Sequence, residues 1–459
     1  MLNKFLKKIS SIFSKKVKLS LSQEVDSALK SSRKANKSIQ AIIGLDFGTA
    51  YTKAAIRVGA RDVDFVKFTG IPGVINSCLL PCVMSMDQSG KYSLGMSDNA
   101  KKLISQLKLS LMYKNTDHGQ KVLIVLFLAF VLSHIRSWFI KNHGQNYLDR
   151  TFEWHLNIGV PAESWHDDKL CYNYRQICQL AWHLSLFEYT DITYKNAELI
   201  VQKTPNRFIN DSDLSQERIG LIPEFVAQIA SYTKSPRREA GLHFLVDIGA
   251  ATLDAVTFNI WDDGIQDKFP IYVSRVRPLG THFLCKHLIK KDDSHKANDL
   301  LYEGYLCFNN NPIEEALSRY SISDKSTEEL CNLFKTKVRK IVYDVLRDTR
   351  FRRDPRSTHW KHGVPAFICG VGAHIPLYQE CIEAFDRNSY KFCLKIRPMS
   401  LPTIDSDIKE DTSRLTVAYG LSFDKDDLGR VVPEHEIPDL YENNSLRNID
   451  KSYVSKEQV

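Results

Sequence analysis

The chain has no C-x-x-C pair. Its ten cysteines are scattered, the nearest being Cys78 with Cys82 and Cys171 with Cys178. That spacing argues against a disulfide framework and a zinc site, and it suits a reducing compartment such as the cytoplasm. The N-terminus does not read as a secretory signal, because no long apolar core with a small-residue cleavage site follows its lysines. No apolar run of membrane-spanning length is present either. Residues 122–132 are eleven apolar residues in a row, against roughly 20 needed for a span. His134, Arg136 and Lys141 follow soon after, so the run predicts a core helix.

The main body of the chain also lacks net charge. The whole sequence has 62 Lys and Arg against 54 Asp and Glu. Residues 1–40 hold ten of the basic residues and only Glu24 and Asp26 of the acidic ones, which leaves 52 of each sign elsewhere. A balanced body gives no electrostatic reason to expect nucleic-acid binding. The surplus belongs to the first residues. Leu2, Phe5, Leu6, Ile9, Ile12 and Phe13 recur at helical spacing among Lys4, Lys7, Lys8, Lys15, Lys16 and Lys18. A basic amphipathic segment of this kind suits peripheral contact with an anionic membrane through residues 1–20, or docking to an acidic partner. A solvated arm is the plainer alternative. Residues 1–39 read as arm and linker, and 426–459 as a polar, acidic tail. Between them, a content of 43% hydrophobic and 25% charged residues is that of a folded protein with room for two or three domains.

What is present is a repeat. Ile43-Gly44-Leu45-Asp46-Phe47-Gly48-Thr49-Ala50-Tyr51-Thr52-Lys53-Ala54 and Leu245-Val246-Asp247-Ile248-Gly249-Ala250-Ala251-Thr252-Leu253-Asp254-Ala255 both fit Asp-x-Gly-x-Ala-x-x-x-Ala. Each reads as a buried strand, an Asp, a small-residue turn and a second strand. Such a turn can aim successive backbone N–H groups at an anion, and an Asp at the strand end can hold Mg²⁺ through water. Two copies facing each other would grip a polyphosphate and its metal from both sides.

At these residues the chain resembles the actin-like ATPase superfamily, which includes actin, sugar kinases and DnaK-type heat-shock chaperones. Asp46 to Tyr51 is similar to the family's first phosphate motif, and Asp247 to Asp254 to its second. Ile222-Pro223-Glu224-Phe225-Val226-Ala227 resembles the connecting helix. Phe367-Ile368-Cys369-Gly370-Val371-Gly372-Ala373-His374 resembles the adenosine motif. Asn157-Ile158-Gly159-Val160-Pro161-Ala162 and Thr416-Val417-Ala418-Tyr419-Gly420 resemble the Val-Pro-Ala strand and the closing helix of the chaperone branch. These landmarks stand in the family's order across roughly residues 40–425.

The resemblance implies an α/β, duplicated two-lobe, actin-like (ribonuclease H-like) fold. Its first lobe would be 40–233 and its second 234–425, with an interlobe nucleotide cleft. It implies ATP or ADP and Mg²⁺ as ligands, and Asp46 and Asp247 as organisers of the hydrated metal. Backbone N–H groups of Gly48, Thr49, Ala50 and Tyr51 on one side, and of Gly249, Ala250, Ala251 and Thr252 on the other, would face the phosphates. Gly370, Val371, Gly372 and His374 would meet the adenosine. Glu224 would orient the attacking water, its plainer alternative being a helix-start carboxylate. Lys108 is the candidate for the branch's phosphate-contacting lysine. The implied activity is that of a slow ATPase, a nucleotide-controlled conformational switch acting on a protein partner. A filament-forming ATPase and a binding-only nucleotide sensor are the alternatives.

The sequence also departs from the family. Ala250 and Ala251 stand where chaperones carry glycines, and alanine resists positive φ. Val371 replaces a glycine, and His374 stands where an arginine commonly stacks on adenine. After Phe423 only 36 residues remain, too few for the chaperones' peptide-binding domain and lid. Further expectations are helices over 99–115, 121–141, 167–186, 218–233 and 327–350, and strands in 41–69, 154–160, 242–276 and 365–369. A strand with an insertion is expected over 187–217, and a loop at 309–312. The arginines at 347, 350, 352, 353 and 356 read as a solvated helix end, with a phosphate or partner contact as the alternative.

Overall fold

The computed structural model describes residues 21–31, 37–112, 116–163, 165–203, 214–288, 324–385, 392–402 and 412–439. The predicted arm over 1–20 and the loop at 309–312 lie outside them.

The seven residues at the C-terminal end of β1 (Lys37–Phe47) are buried without a break. β1 is therefore a central strand, covered on both faces. It forms an antiparallel hairpin with β2 (Tyr51–Val58), which pairs antiparallel with β3 (Asp64–Phe65) and, at its start, with β4 (Leu80–Pro81). A small antiparallel sheet of β5 (Met84–Met86), β6 (Tyr92–Leu94) and β7 (Lys102–Ile104) follows. On its other side β1 pairs parallel with β8 (Arg150–Val160), and β8 pairs parallel with β9 (Ile219–Pro223). The spatial order is β3-β2-β1-β8-β9.

The second sheet repeats this order. β10 (Gly241–Ile248), β11 (Leu253–Asp262) and β12 (Asp267–Arg277) form an antiparallel meander. β13 (Val364–Cys369) lies parallel to β10, and β14 (Leu394–Ile396) parallel to β13. The order β12-β11-β10-β13-β14 is the first sheet's order, strand for strand. The protein is thus a mixed α/β structure containing a repeated topology.

Parallel pairing needs crossovers, and helices supply them. α1 (Leu21–Ser31) precedes the first sheet, and α2 (Leu107–Met112) follows the small one. α3 (His118–His143) is long and apolar enough to cross a membrane by length and composition. However, 83% of its most apolar window is buried inside the protein. A helix apolar all round is a core helix when other elements cover it, as expected from residues 122–132. Its start is fixed by a capping box, in which Asp117 accepts from the Gln120 N–H at 2.8 Å and the Gln120 side chain accepts from the Asp117 N–H at 3.3 Å. α4 (Asp168–Ser185) and α5 (Tyr194–Lys203) complete the first half's crossovers. After β9 comes α6 (Glu224–Thr233). The second half uses α7 (Thr281–Leu288), α8 (Asp324–Asp348) and α9 (Pro376–Glu383), and ends with α10 (Thr416–Leu421) after β14.

α6 and α10, which close the two halves, tie them together by exchange. Phe225 and Ile229 of α6 share a core with Leu245 and Phe258 of the second sheet. α10 lies on the first sheet, where a side chain on Gly44 would collide with Ala418 and Ser422. Asn157 of β8 donates to the Leu421 and Phe423 carbonyls, both at 2.8 Å. The helices cross so closely that a side chain on Gly420 would overlap the Ala227 backbone.

Several expected elements differ. Residues 99–115 do not form one helix: β7 pairs with β5, and the helix begins only at Leu107. Gln106, with φ 59°, sits at the break. Residues 219–223 are a strand rather than the start of a helix. Their buried apolar run is too short to show a period, and its pairing with β8 decides its state. Residues 194–203 are helical, within the stretch 187–217 where a strand with an insertion was expected. α1 is not free linker, because Val25 and Ala28 are buried and Asp26 accepts from the Tyr189 N–H at 2.7 Å. Residues 426–439 are not a free tail. Within them β15 (Arg430–Val432) adds to the edge of β12. Glu434 pairs with Arg275 at 3.3 Å, and Asp439 pairs with Arg352 and Arg353 at 2.6 and 3.0 Å. Part of the predicted solvated arginine group is therefore clamped to the chain's own acidic end.

Candidate functional site

The two hairpins meet at one cleft. In the first, Asp46 faces Lys53 across the strands; in the second, Asp247 faces Asp254. Each turn is closed from within, by the Gly48 N–H to the Tyr51 carbonyl at 3.1 Å and the Gly249 N–H to the Thr252 carbonyl at 2.9 Å. This corrects the expectation that the glycine N–H groups point at a ligand, since both are held inside their turns. The N–H groups of Thr49, Ala50, Ala250 and Ala251 have no backbone acceptor among the described residues. The alanine substitutions bring no backbone strain, because Gln106 is the only non-glycine with positive φ among the described residues.

Each turn is also held from outside. The Cys82 N–H donates to the Ala50 carbonyl at 2.7 Å. The N–H groups of Gly280, Thr281 and His282 donate to the carbonyls of Ala251, Gly249 and Ala250 at 3.1, 3.1 and 2.8 Å. The start of α7 thus fastens all three turn carbonyls of the second hairpin. Gly280 has no room for a side chain against Ala250 and Ala251.

Lys108 and Glu224 are 116 positions apart in sequence and form an ion pair at 2.5 Å, with side-chain exposures of 8% and 17%. Three local features deliver them. The left-handed Gln106 turns the chain into α2, and backbone strain of this kind is often found at functional sites. Pro223 ends β9, so Glu224 opens α6. Gly159 leaves the space that the Glu224 stem fills. Gly370, with φ 82°, lies against the Asp247 carboxylate, where any side chain would collide.

The cleft has about 760 Å³ of empty space counted out to its open mouth, and its lining is largely polar. It brings together Asp46, Gly48, Thr49, Ala50, Tyr51, Lys108, Glu224, Asp247, Gly249, Ala250, Ala251, Thr252, Gly370 and Val371. Gly372 and His374, placed at the adenosine by resemblance, do not line it. Gly372 is packed against Ile248, and His374 is exposed on a short turn. Lining residues that sequence reasoning did not assign include Lys53, Gln228, Asp254 and Arg414. Lys53 and Asp254 were within reach, because hairpin register puts each opposite a motif aspartate. So was Gln228, one helical turn after Glu224. Arg414, buried with its guanidinium 5.1 Å from the Tyr51 ring, belongs to no motif.

The electrostatics are unequal on the two sides. Lys53 pairs with Asp46 in the first hairpin. In the second, burial together with the Glu224 and Asp46 charges pushes the Asp247 carboxyl up to about 6, against the pull of Lys53 and Lys108. Burial, then Glu224 and Asp247, push Asp254 well above the usual carboxylate range. Burial works against the charge on Lys108, but Glu224, Tyr174 and Asp46 together hold it above an ordinary lysine. Among the described residues no group of three or more His, Cys, Asp or Glu side chains is set to hold a metal ion directly.

No family model matches the chain, and no curated protein matches it.

Proposed function

We propose that the chain is an actin-like ATPase, nearest to the nucleotide-binding part of DnaK-type chaperones, that uses slow ATP hydrolysis to switch the fit of a protein partner. One observation carries this reading. A strand order that occurs twice sets two Asp-x-Gly hairpins face to face, and the same cleft collects a buried Lys–Glu pair from two distant elements. Phosphoryl transfer to water needs positioning and charge neutralisation more than covalent chemistry. Thr49, Ala50, Ala250 and Ala251 offer backbone N–H groups to phosphate oxygens, and Lys108 offers a fixed positive charge. Glu224, held through one oxygen by Lys108, keeps its other oxygen for water.

The residues fit a hydrated Mg²⁺ carried in by the nucleotide. Asp247 and Asp254 are like charges in register, and Asp254 Oδ1 is buried without a hydrogen-bond partner among the described residues. Asp46 and Asp247 would hold the ion through water. When bound, it neutralises phosphate charge.

Calorimetric titration with ATP and Mg²⁺, followed by a phosphate-release assay, tests the reading. Saturable, Mg²⁺-dependent ATP binding is expected, with slow turnover that Glu224→Gln lowers at least tenfold while affinity changes little. Absence of ATP binding sinks the proposal. Binding with no turnover leaves a nucleotide sensor. The lysine-rich residues 1–20 are the proposed contact with an anionic membrane. Their deletion should abolish cosedimentation with anionic liposomes at low salt and spare ATP binding, and unchanged cosedimentation removes that assignment.

A further inference from the structure

We propose that Gln228 is a second water-orienting group, working beside Glu224 from the same face of α6. This inference rests on the ATPase reading of the cleft.

Gln228 lines the cleft and is only 2% exposed. Its Oε1 is buried and has no hydrogen-bond partner among the described residues. An amide carbonyl left so costs about 1–3 kcal/mol, a cost that a bound donor removes. Asn157, by contrast, uses its amide on two carbonyls. Gln228 instead belongs to the cleft lining. It stands four residues after Glu224, so the two side chains are neighbours about 5–6 Å apart at Cβ on one helical face.

Their position is fixed from behind. Ala227, next to Gln228, is pressed against Gly420 of α10, and Phe225 and Ile229 are locked in the core with the second sheet. α6 itself cannot shift without unpacking that core. Water has two hydrogens, and the free Glu224 oxygen and Gln228 Oε1 are two acceptors. A water that donates one hydrogen to each presents its lone pair away from α6, toward the turns where the terminal phosphate would lie. The water oxygen then bonds to the terminal phosphorus. The bond from phosphorus to the bridging oxygen breaks with its electron pair going to the diphosphate; of the water's two protons, one stays on the inorganic phosphate and the other is released to solvent. Glu224 alone fixes one hydrogen and leaves the water free to rotate about it.

Gln228→Met keeps the length and bulk of the side chain and removes the acceptor; Gln228→Glu keeps an oxygen there. Single-turnover hydrolysis of ATP and calorimetric ATP affinity are read for each. The methionine variant is expected to hydrolyse about tenfold more slowly, the worth of one hydrogen bond, with affinity within twofold of the original. The glutamate variant is expected to recover most of the rate. Should the methionine variant not fold, Gln228→Asn, which withdraws the carbonyl by one methylene, carries the same expectation. An unchanged rate overturns the proposal. So does an equal loss of affinity and rate, or a glutamate variant no faster than the methionine one. These results are distinct from failure of the ATPase reading, in which the unmutated protein binds or hydrolyses no ATP and the Gln228 assignment falls with it.

Discussion

The two hairpins share one sequence pattern and one backbone course, and the residue opposite the motif aspartate sets their charges apart. Opposite Asp46 stands Lys53; opposite Asp247 stands Asp254. The first hairpin neutralises itself. The second holds two half-buried carboxyls opposite each other, and both are pushed up. Burial leads both shifts, and perturbed carboxyls in a cleft mark a candidate functional site. Under the proposed function the second hairpin is the side that would take the cation, while Asp46 of the first already pairs with Lys53.

Breaking the neutral side should have the largest effect. Lys53→Met strands the Asp46 carboxylate, and removing one partner of a buried pair costs about 3–5 kcal/mol when burial is complete. With side-chain exposures of 16% and 6%, about 2–3 kcal/mol is expected, read by denaturant unfolding of the nucleotide-free protein. A loss below about 0.5 kcal/mol would make Lys53–Asp46 an ordinary surface pair and erase the contrast.

Next comes the ligand. Asp247→Ala should weaken Mg²⁺-dependent ATP binding about a hundredfold, equivalent to about 2.7 kcal/mol. Asp46→Ala should weaken it only about tenfold, because Lys53 is then freed toward the phosphates. Equal losses in calorimetry would mean the two sides share the cation evenly. No loss in either variant would mean the cleft is not the nucleotide site.

The same carboxyl gives a stabilising change of smaller size. The folded-state value of Asp247 is raised to about 6 from 3.8. Its contribution to stability is therefore present below the unfolded value and lost as pH rises through about 6. Asp247→Asn removes that pH-dependent loss. The variant should be about 1–2 kcal/mol more stable than the parent at pH 7.5 without nucleotide, and the advantage should vanish near pH 4. A variant less stable at pH 7.5 would show that the carboxylate is satisfied within the fold.

The smallest effect concerns the turn itself. Ala251→Gly puts a glycine where the chaperones that the hairpin resembles carry one, but Ala251 already lies outside the positive-φ region. The change should cost about 0.5–1 kcal/mol of stability through unfolded-state entropy and leave ATP affinity unchanged. A gain in affinity would mean that the alanine methyl obstructs the ligand.

The legible parts were those carried by short-range chemistry. Residues 122–132 announced a core helix by being apolar on every side, and the small residues after Asp46 and Asp247 announced tight turns. Glu224 was legible because it follows Pro223 in a segment that resembles the family's connecting helix, although the strand before it was read as helix. The illegible parts were decided by partners far away in the chain. Residues 219–223 are a strand because β8 offers an edge to pair with. The acidic residues after 426 look like solvated tail until Arg275, Arg352 and Arg353 are seen beneath them. Lys108 was one lysine among several; only the fold brings it to Glu224, 116 positions away.

The sequence by itself determined the repeat, the paired aspartates, the turns after them and the buried character of α3, because each is written in neighbours a few residues apart. Tertiary structure alone decided which lysine would reach Glu224, and that α6 and α10 would exchange sheets. Those outcomes depend on distances between residues that the chain keeps far apart until it folds. Charge, burial and steric fit act through space, and their balance exists only once the two sheets have closed on the helices between them.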